Sequence, residues 1–505
     1  MKKRLLFILT LSSILSTFSQ AQTPTLSQAA GKVGITSGQY GTAPNFEMFM
    51  DPSGHPRAVT AGETVFSMGS WPSGKTPTFS DDKSNTWAAV TSCTDSQSTT
   101  HGFFYAVDAD AGTSVITHTY SSSVNNEVFD WAHFYNMSTT SSGFVDGSSC
   151  KTEVTPTSNT APNISGTAYT VGTTGDLILT CVYVENSTLG NPNTISSITR
   201  PSGFTGLNAD IWTYGHACAY GSGTAGSFTP TFTVAQSTHN TFTIISAAFK
   251  AGSGGTAPAA GPSILLSGNV YIGSAGQTVK VYLPCPSGTS AVAVLDDSGS
   301  LTGVSDSGGS TWAHVSAPGN YWGPIYYTNS PTITNPYVVS VTVGGTGNED
   351  LMALDCLTGT AGIDTTVKAQ NGGTLAASSS VWATANVSGG RANYAPSMGT
   401  SKTGDLVVAV SSMGTGPVDS CVIGQCVMDF VGSTSWTSGD QESYANGNAA
   451  SHFYDPTAAT VNFDFNIGSG ASSTISGISL AFLQSSSSSM PAAPAPPSDL
   501  TAVVH

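Results

Sequence analysis

Apolar residues along this chain are grouped in short runs, many of which alternate apolar with polar positions, and Gly, Asn, Asp and Pro separate the runs. Short runs bounded by turn-forming residues predict β-strands. Four of the runs are apolar strands that each close a repeated segment, and they cover residues 128–135, 241–249, 351–356 and 475–482. The pattern therefore predicts an all-β protein.

The start of each repeated segment has its own signature, in which a glycine and an acidic or amide residue precede an apolar strand. The four copies are Gly62-Glu63, Gly175-Asp176, Gly276-Gln277 and Gly404-Asp405. Because glycine is favoured where a turn needs a positive φ, each copy predicts a turn that ends at the glycine and leads into a strand.

Tryptophan positions divide the four copies into two types. The first and third contain a hairpin rich in Asp, Ser, Gly and Asn that leads into Thr-Trp, at Trp87 and Trp312, which are 225 residues apart. The second and fourth contain Trp212 and Trp436, which are 224 residues apart. These offsets predict four tandem antiparallel β-sandwich modules arranged as a duplicated two-module unit, with each Trp packed in a core.

Composition supports this fold class and gives the domain limits. Charged residues make up 9% of the chain, against about 25% in an ordinary soluble domain, which favours strands and turns over solvated helices. Shifts toward Gly, Ser and Pro mark the boundaries. The predicted segments are a signal peptide (1–21), modules 1 and 2 (22–152 and 153–250), a linker (251–262), modules 3 and 4 (263–363 and 364–484) and a Ser/Pro-rich tether (485–505).

The first 21 residues are predicted to direct export. Lys2, Lys3 and Arg4 precede an apolar run over 5–15, and we expect cleavage after Ala21. The run is too short to span a bilayer, and we expect no membrane insertion after the signal is removed. The short basic signal is bacterial in style, and we predict a secreted or cell-surface protein.

The net charge limits the partners. It is −16 for the whole chain and −19 once the three basic residues of the signal are removed. Such a polyanion is repelled by phosphate backbones, and nucleic-acid binding is therefore excluded. An extracellular glycan or a surface protein remains as a partner.

Eight cysteines in an exported chain favour disulfides over metal ligands. Each predicted module contains two, so the simplest expectation is one bond per module. The expected pairs are Cys93 with Cys150, Cys181 with Cys218, Cys285 with Cys356, and Cys421 with Cys426.

Together the Gly-Asp strand, the Asp-rich hairpin and the closing apolar strand resemble immunoglobulin-like or jelly-roll β-sandwich repeats of secreted bacterial surface proteins, over roughly residues 28 to 485. Residues 497–504 resemble the opening strand of a fibronectin type III domain, so the sequence is expected to be either a fragment of a longer chain or the product of a truncated reading frame. The resemblance implies adhesion, spacing or ligand display, and supplies no catalytic residues.

Motifs for catalysis are weak. The serine hydrolase motif G-x-S-x-G and the metalloprotease motif H-E-x-x-H are both missing from the sequence. Residues 69–76 match the phosphate-binding pattern G-x-x-x-x-G-K-[ST], but Pro77 follows directly and no helix is predicted after it. We therefore predict a plain turn at this motif and no enzyme activity.

Two ligand sites are weighed against simpler alternatives. Asp108 and Asp110 precede Gly112 as in the start of a calcium loop, but the later acidic ligand of such a loop is missing and an ordinary Asp/Gly turn is the favoured explanation. Tyr321, Trp322 and Tyr326, and separately Trp131, are candidate rings for stacking on a sugar. They lie in or beside predicted strands, where such rings are more often core residues. No cofactor other than calcium is suggested.

The sequence favours a secreted, non-enzymatic β-sandwich protein that acts at or outside the cell surface in adhesion, spacing or ligand display. One alternative is a carbohydrate-binding accessory protein of polysaccharide degradation. Another is the non-catalytic part of a longer secreted enzyme.

Overall fold

The computed structural model describes most of the first 364 residues and the strands of the remainder. The described residues are 22–32, 45–51, 53–122, 124, 128–185, 195–207, 210–211, 216–237, 240–272, 276, 278–286, 288–296, 301–315, 324–344, 350–364, 368–371, 374–377, 380–388, 397–399, 404–413, 429–430, 437–443, 448–455, 460–462, 465–466 and 472–486. The predicted signal peptide and most of the Ser/Pro-rich tether lie outside them.

Regular structure in the described part of the chain is strand throughout, with no α-helix, which confirms the predicted all-β class. Up to residue 144 the strands are β1 (Thr25–Lys32), β2 (Asn45–Phe49), β3 (Glu63–Pro72), β4 (Thr78–Asp81), β5 (Trp87–Thr94), β6 (Thr99–Ala109), β7 (Val115–Thr119) and β8 (Val128–Tyr135). Up to residue 250 they are β9 (Val145–Val154), β10 (Asn163–Ser165), β11 (Tyr169–Val171), β12 (Leu177–Val184), β13 (Ile195–Thr199), β14 (Thr205–Gly206), β15 (Asp210–Ile211), β16 (His216–Ser222), β17 (Gly226–Phe228), β18 (Thr231–Gln236) and β19 (Phe242–Phe249).

The second half of the chain continues in the same way. Up to residue 364 the strands are β20 (Ser263–Ile272), β21 (Thr278–Tyr282), β22 (Ala291–Asp296), β23 (Leu301–Asp306), β24 (Ala313–Val315), β25 (Ile325–Asn329), β26 (Val338–Val343), β27 (Asp350–Thr358) and β28 (Thr360–Ile363). The last are β29 (Lys368–Asn371), β30 (Thr374–Ala377), β31 (Ser380–Ser388), β32 (Ser397–Gly399), β33 (Asp405–Met413), β34 (Asp429–Phe430), β35 (Thr437–Ser443), β36 (Asn448–Asp455), β37 (Thr460–Asn462), β38 (Phe465–Asn466) and β39 (Ser472–Gln484).

A ten-stranded sheet joins the two halves of the chain, in the order β24-β25-β22-β27-β20-β1-β8-β3-β6-β5. Its neighbours are antiparallel except at the junction, where β1 and β20 run parallel with Ala29 opposite Leu266. Since β1 and β20 are far apart in sequence, this junction is a tertiary pairing that ties residues near the N-terminus to the second half.

In the first half, four layers pack on one another. The β2-β7-β4 sheet covers one face of the ten-stranded sheet, with a core that contains Phe79 and Trp131. A five-stranded sheet, in the order β14-β16-β12-β19-β9, covers the other face with a core that contains Phe66 and Phe249. The β10-β18-β13 sheet covers the outer face of the five-stranded sheet, where Phe232 is buried.

The second half places its sheets in a similar order. The β15-β21-β26-β23 sheet covers one face of the ten-stranded sheet through Val281 and Val339. On the other face, Leu406 and Phe482 from a sheet that contains β33 and β39 pack against Leu295. The ten-stranded sheet is therefore covered on both faces in each half, which buries its central strands on both sides.

Repeated sequence features adopt repeated local structure. The four signature glycines have positive φ, with values of 89° at Gly62, 99° at Gly175, 80° at Gly276 and 93° at Gly404. Trp87 Nε1 donates a hydrogen bond to Asp81 Oδ2 at 2.7 Å, and 225 residues later Trp312 Nε1 donates to Asp306 Oδ2 at 2.8 Å. The match to the phosphate-binding pattern forms the end of β3 and a turn before β4.

Three of the predicted disulfides are present. They join Cys93 to Cys150, Cys181 to Cys218, and Cys285 to Cys356. Cys421 and Cys426 lie outside the described residues.

Two predicted boundaries fall within ordered structure. β9 (Val145–Val154) runs across the boundary at 152/153 and pairs along its length with β19. The predicted linker at 251–262 lies against the first half, where Met137 bridges to Ala251 and Gly254. A search of the described residues finds no helix long and apolar enough to cross a membrane.

Candidate functional site

A cleft with a volume of about 650 Å³ lies where both halves of the chain meet. Its walls come from the start of β1, the end of β8, the segment from β13 to β14, the segment from β21 to β22 and the loop before β26. The volume falls within the range of about 300–1,000 Å³ that is typical of small-molecule sites. The cleft exists because the parallel β1–β20 pairing brings these segments together.

Aromatic rings form much of the wall. They are Tyr135, Phe204, Tyr220, Tyr282 and Tyr337. The Tyr337 hydroxyl donates to Asp306 Oδ2 at 3.1 Å, which links the wall to the Trp312 hydrogen bond described above. Burial raises the pKa of Tyr220 to about 12, so this hydroxyl keeps its proton at neutral pH.

Hydroxyl groups are interspersed with these rings. Thr25, Thr199, Ser202, Thr205, Thr289, Thr334 and Thr358 line the cleft. Hydroxyls both donate and accept hydrogen bonds, and alternating rings and hydroxyls suit a ligand with apolar faces and polar edges. The wall therefore has groups for binding and orienting a polar organic molecule.

Both arginines in the described part of the chain line this cleft. Arg200 is half-buried, and its Nε donates to the backbone oxygen of Cys218 at 3.3 Å. Arg57 is 6% exposed, and its Nε donates to Ser263 Oγ at 2.7 Å. Burial lowers the pKa of Arg57 to about 10 against the opposing effect of Asp51, so it remains a cation at neutral pH.

Buried hydrogen bonds with neighbouring groups hold the Arg57 side chain in position. Its Nη1 donates to the backbone oxygen of Ser27, and the Ser27 hydroxyl donates to Glu63 Oε1 at 3.1 Å. Glu63 Oε2 also pairs with His133 Nδ1 in the core. Glu63 belongs to the first copy of the repeated turn signature, so that signature is connected through Ser27 to Arg57, which lines the cleft.

A second polar cluster lies between the ten-stranded and five-stranded sheets. His101 Nε2 is 3.1 Å from Asp95 Oδ2, and His216 Nε2 is 3.3 Å from Asp130 Oδ2. The Tyr183 ring contacts both histidines, with centroid distances of 4.8 and 5.9 Å. All five side chains are buried, and burial lowers the pKa of His101. This cluster is a polar layer inside the protein and presents no surface to a ligand.

The predicted sugar-stacking residues do not meet in one place. Trp131 is 5% exposed and packs in the core under the β2-β7-β4 sheet, so its ring faces no solvent. Tyr326 is half-buried, and its hydroxyl donates to the backbone oxygen of Leu301 at 2.8 Å. Tyr321 and Trp322 lie outside the described residues.

Of the predicted calcium ligands, Asp108 is near the end of β6 and Asp110 lies in the turn that follows. Asp108 and Asp110 are both exposed, and the Asp110 backbone N–H donates to Asn85 Oδ1 at 2.9 Å. Across the described ranges, no group of three or more His, Cys, Asp and Glu side chains is arranged to hold a metal ion.

Sequence reasoning missed the cleft because its residues come from segments up to about 330 positions apart, between Thr25 and Thr358. The sequence does contain one indication of the cleft, in the positions of its arginines. The whole chain contains only four arginines, and Arg57 and Arg200 are the two that lie outside the signal peptide and the fourth predicted module.

Comparison with family models and with curated proteins finds no match for this chain.

Proposed function

We propose that this chain is an extracellular, non-enzymatic β-sandwich protein that binds a saccharide in the cleft between its two halves, and so acts in adhesion or ligand display. The observation that carries the proposal is the cleft itself, with five aromatic rings and a series of Ser and Thr hydroxyls around about 650 Å³.

The chemistry of a sugar ring matches this wall. The C–H faces of a pyranose pack on aromatic rings, and its hydroxyls exchange hydrogen bonds with side-chain hydroxyls and backbone groups. Tyr282 is half-buried, so part of its surface is open to such a ligand.

An extracellular location is supported by two observations. The sequence begins with a predicted export signal, and three disulfides close loops of 37 to 71 residues. Disulfides persist mainly in oxidising compartments outside the cytosol. The similar order of layers in the two halves supports a duplicated two-module unit.

The test is binding of the mature chain, from Gln22 to His505, to an array of plant, fungal and bacterial glycans. We expect saturable binding to one glycan class, and a three- to tenfold loss of affinity in Tyr282→Ala, which is about 1 kcal/mol for one lost ring contact. Calorimetry with a short oligosaccharide of that class measures the affinity.

Tyr326→Ala is the matched control. Tyr326 is also a half-buried tyrosine on a strand of the second half, but it does not line the cleft. Its replacement should leave the affinity unchanged. Absence of binding across the array, or equal losses in the two variants, would contradict the proposed function.

A further inference from the structure

Three strand ends that carry acidic residues meet at one edge of the first half. β5 leads into Asp95 and Ser96, β9 contains Glu153 near its end, and β12 is followed directly by Glu185. The Ser96 backbone N–H donates to Glu153 Oε1 at 2.8 Å, and the Glu153 backbone N–H donates to Glu185 Oε1 at 2.7 Å. These bonds place the carboxylates of Glu153 and Glu185 side by side at the seam between the ten-stranded and five-stranded sheets.

One oxygen of the Glu185 carboxylate is buried without a hydrogen-bond donor. Glu185 is 7% exposed, and its Oε1 accepts the Glu153 backbone N–H and the Thr243 hydroxyl, each at 2.7 Å. Its Oε2 is buried and accepts no hydrogen bond from the described part of the chain. A buried carboxylate oxygen that has lost its hydration without a replacement is costly. The Oε2 atom is therefore placed to gain from a ligand that comes from solution.

The charged groups that act on Glu185 are acidic. Burial raises the pKa of Glu185, and the charges of Glu153 and Asp95 raise it further against the effect of its two donors. Hydrogen bonds from Ser96 lower the pKa of Glu153, so this exposed carboxylate is ionised at neutral pH. Asp95 is paired with His101, at 3.1 Å. Among the described residues, no Lys, Arg or His side chain forms an ion pair with Glu153 or Glu185.

The opposite end of β9 has another pair of close carboxylates, which differs in one respect. Asp146, near the start of β9, acts on Asp176, which precedes β12. At this pair Lys250 also acts on Asp176 and favours its charged form. The protein therefore supplies a cation to the pair at one end of β9 and none to the pair at the other end. A cation from solution can take the corresponding place beside Glu153 and Glu185.

We propose that Glu153 and Glu185 bind a calcium ion at this seam, where the ion clamps the two sheets together beside the Cys93–Cys150 disulfide. Ca²⁺ takes about six to eight oxygen ligands in flexible geometry, and carboxylates, carbonyl groups and water all serve. Two carboxylates can therefore anchor the ion while water completes its shell. Oxygen ligands suit Ca²⁺ better than Zn²⁺, which favours Cys and His in structural sites.

The first experiment compares cations on the unaltered mature chain at constant ionic strength. Relative to a chelator, about 10 mM Ca²⁺ should raise the melting temperature by about 3 °C or more. Mg²⁺ at the same concentration should raise it less, because Mg²⁺ demands octahedral geometry and gives up its water reluctantly. Titration calorimetry measures the affinity for Ca²⁺, which we expect near the Kd of about 10⁻⁴–10⁻³ M that is typical of extracellular modules.

The second experiment identifies the ligands. Glu185→Gln and Glu153→Gln each keep an oxygen and remove one charge, and each should weaken calcium binding about tenfold or more and remove most of the rise in melting temperature. Glu153 is exposed, so its variant provides the test even if Glu185→Gln folds poorly. Asp146→Asn is the matched control, because it removes a carboxylate from the pair on which Lys250 acts. It should respond to calcium as the unaltered protein does.

Three results would overturn the calcium assignment. One is a calcium response of equal size in the unaltered chain and in both glutamine variants. Another is loss of the response in Asp108→Asn alone, which would place the ion at the end of β6. The third is an unaltered chain that calcium neither binds nor stabilises, in which case the two carboxylates share a proton instead. Saccharide binding in the cleft does not depend on any of these results.

Discussion

Asp176 holds a turn in place through a hydrogen bond, but burial of its carboxylate lowers the stability of the folded protein at neutral pH. It follows Gly175 in the repeated signature, it is 1% exposed, and its Oδ1 accepts the Ala251 backbone N–H at 3.1 Å. Burial, and then the nearby carboxylate of Asp146, raise the pKa of Asp176 to about 6. The carboxylate therefore ties the end of the five-stranded sheet to residue 251, but it ionises less readily than it would in the unfolded chain.

The sign of the pH dependence follows from this pKa. In the unfolded chain an aspartate ionises near pH 3.9, so the favourable contribution of protonated Asp176 is lost as the pH rises from about 4 to about 6. Asp176→Asn keeps an oxygen for the Ala251 N–H and removes the charge. We expect the variant to be more stable than the unaltered protein above pH 6, by on the order of 1 kcal/mol, and equal to it near pH 4.

Thermal unfolding of both proteins between pH 4 and pH 8 checks this prediction. Asp108→Asn, at an exposed position, is the control and should show no such gain in stability between pH 4 and pH 8. An Asp176→Asn variant that melts at a lower temperature than the parent at pH 8 would show that the charge itself stabilises the turn.

At the scale of elements, the disulfides differ in what they connect. Cys181 and Cys218 lie directly opposite one another on β12 and β16, two neighbours in one sheet. Cys93 and Cys150 lie on β5 and β9, which belong to different sheets. The Cys93–Cys150 bond therefore links the edge of the ten-stranded sheet to the edge of the five-stranded sheet.

Removal of this cross-link should weaken the contact between the two sheets. In the chain-entropy description, closing a 57-residue separation restricts the unfolded state by about 4 kcal/mol, which is the expected loss for the double variant Cys93→Ala/Cys150→Ala. Its melting temperature should fall markedly below that of Ser92→Ala, a variant at the exposed neighbouring residue. Equal melting temperatures in the two variants would refute the assigned role of the bond.

On the scale of the whole molecule, the sheets of the first half depend on one another through a shared aromatic core. Phe249 of the five-stranded sheet contacts Phe66 of the ten-stranded sheet at a centroid distance of 4.7 Å, and Phe144 and Tyr105 at 5.6 and 5.9 Å. All four rings lie in one buried cluster. Loss of this contact should therefore destabilise both sheets.

Phe249→Ala should reduce stability by about 3–5 kcal/mol, because it leaves a cavity between the sheets. Hydrogen exchange should show amides of β3 and β12 losing protection together. Phe232→Ala removes a ring of the same size from β18, which packs on the outer face of the five-stranded sheet, and it should expose amides of β12 but not of β3. Retained protection of β3 in Phe249→Ala would mean that the sheets unfold separately.

Local sequence patterns were sufficient for the features that depend on neighbouring residues. The signature glycines predict turns, and each has the positive φ that glycine adopts without strain. The hairpins before Trp87 and Trp312 were recognised as copies, and both fold with the same Trp-to-Asp hydrogen bond. The assignment of two cysteines to each predicted module gave three of the disulfides, although Cys150 lies on β9, in the five-stranded sheet.

The sequence pattern predicted the burial of one face of a strand but not of the other. Along β8, a core position was the simpler alternative for Trp131, and Trp131 lies in a core together with Phe129. The opposite face, with Asp130, Ala132 and Phe134, is also buried, because the five-stranded sheet packs against it. Alternation along a strand distinguishes its two faces, but it does not show what covers each one.

The sequence by itself determined the all-β class, the turns, the repeated Trp hairpins and three cysteine pairs, because each is encoded by residues close together in the chain or within one repeat. Only the tertiary structure decided the parallel β1–β20 pairing, the sheets stacked on both faces and the cleft. These depend on contacts between segments hundreds of residues apart. The residues near an edge strand or an apolar face do not specify which distant strand or sheet will pack against it. The cleft, with Arg57 and Arg200 on its wall, exists only once that long-range pairing has formed.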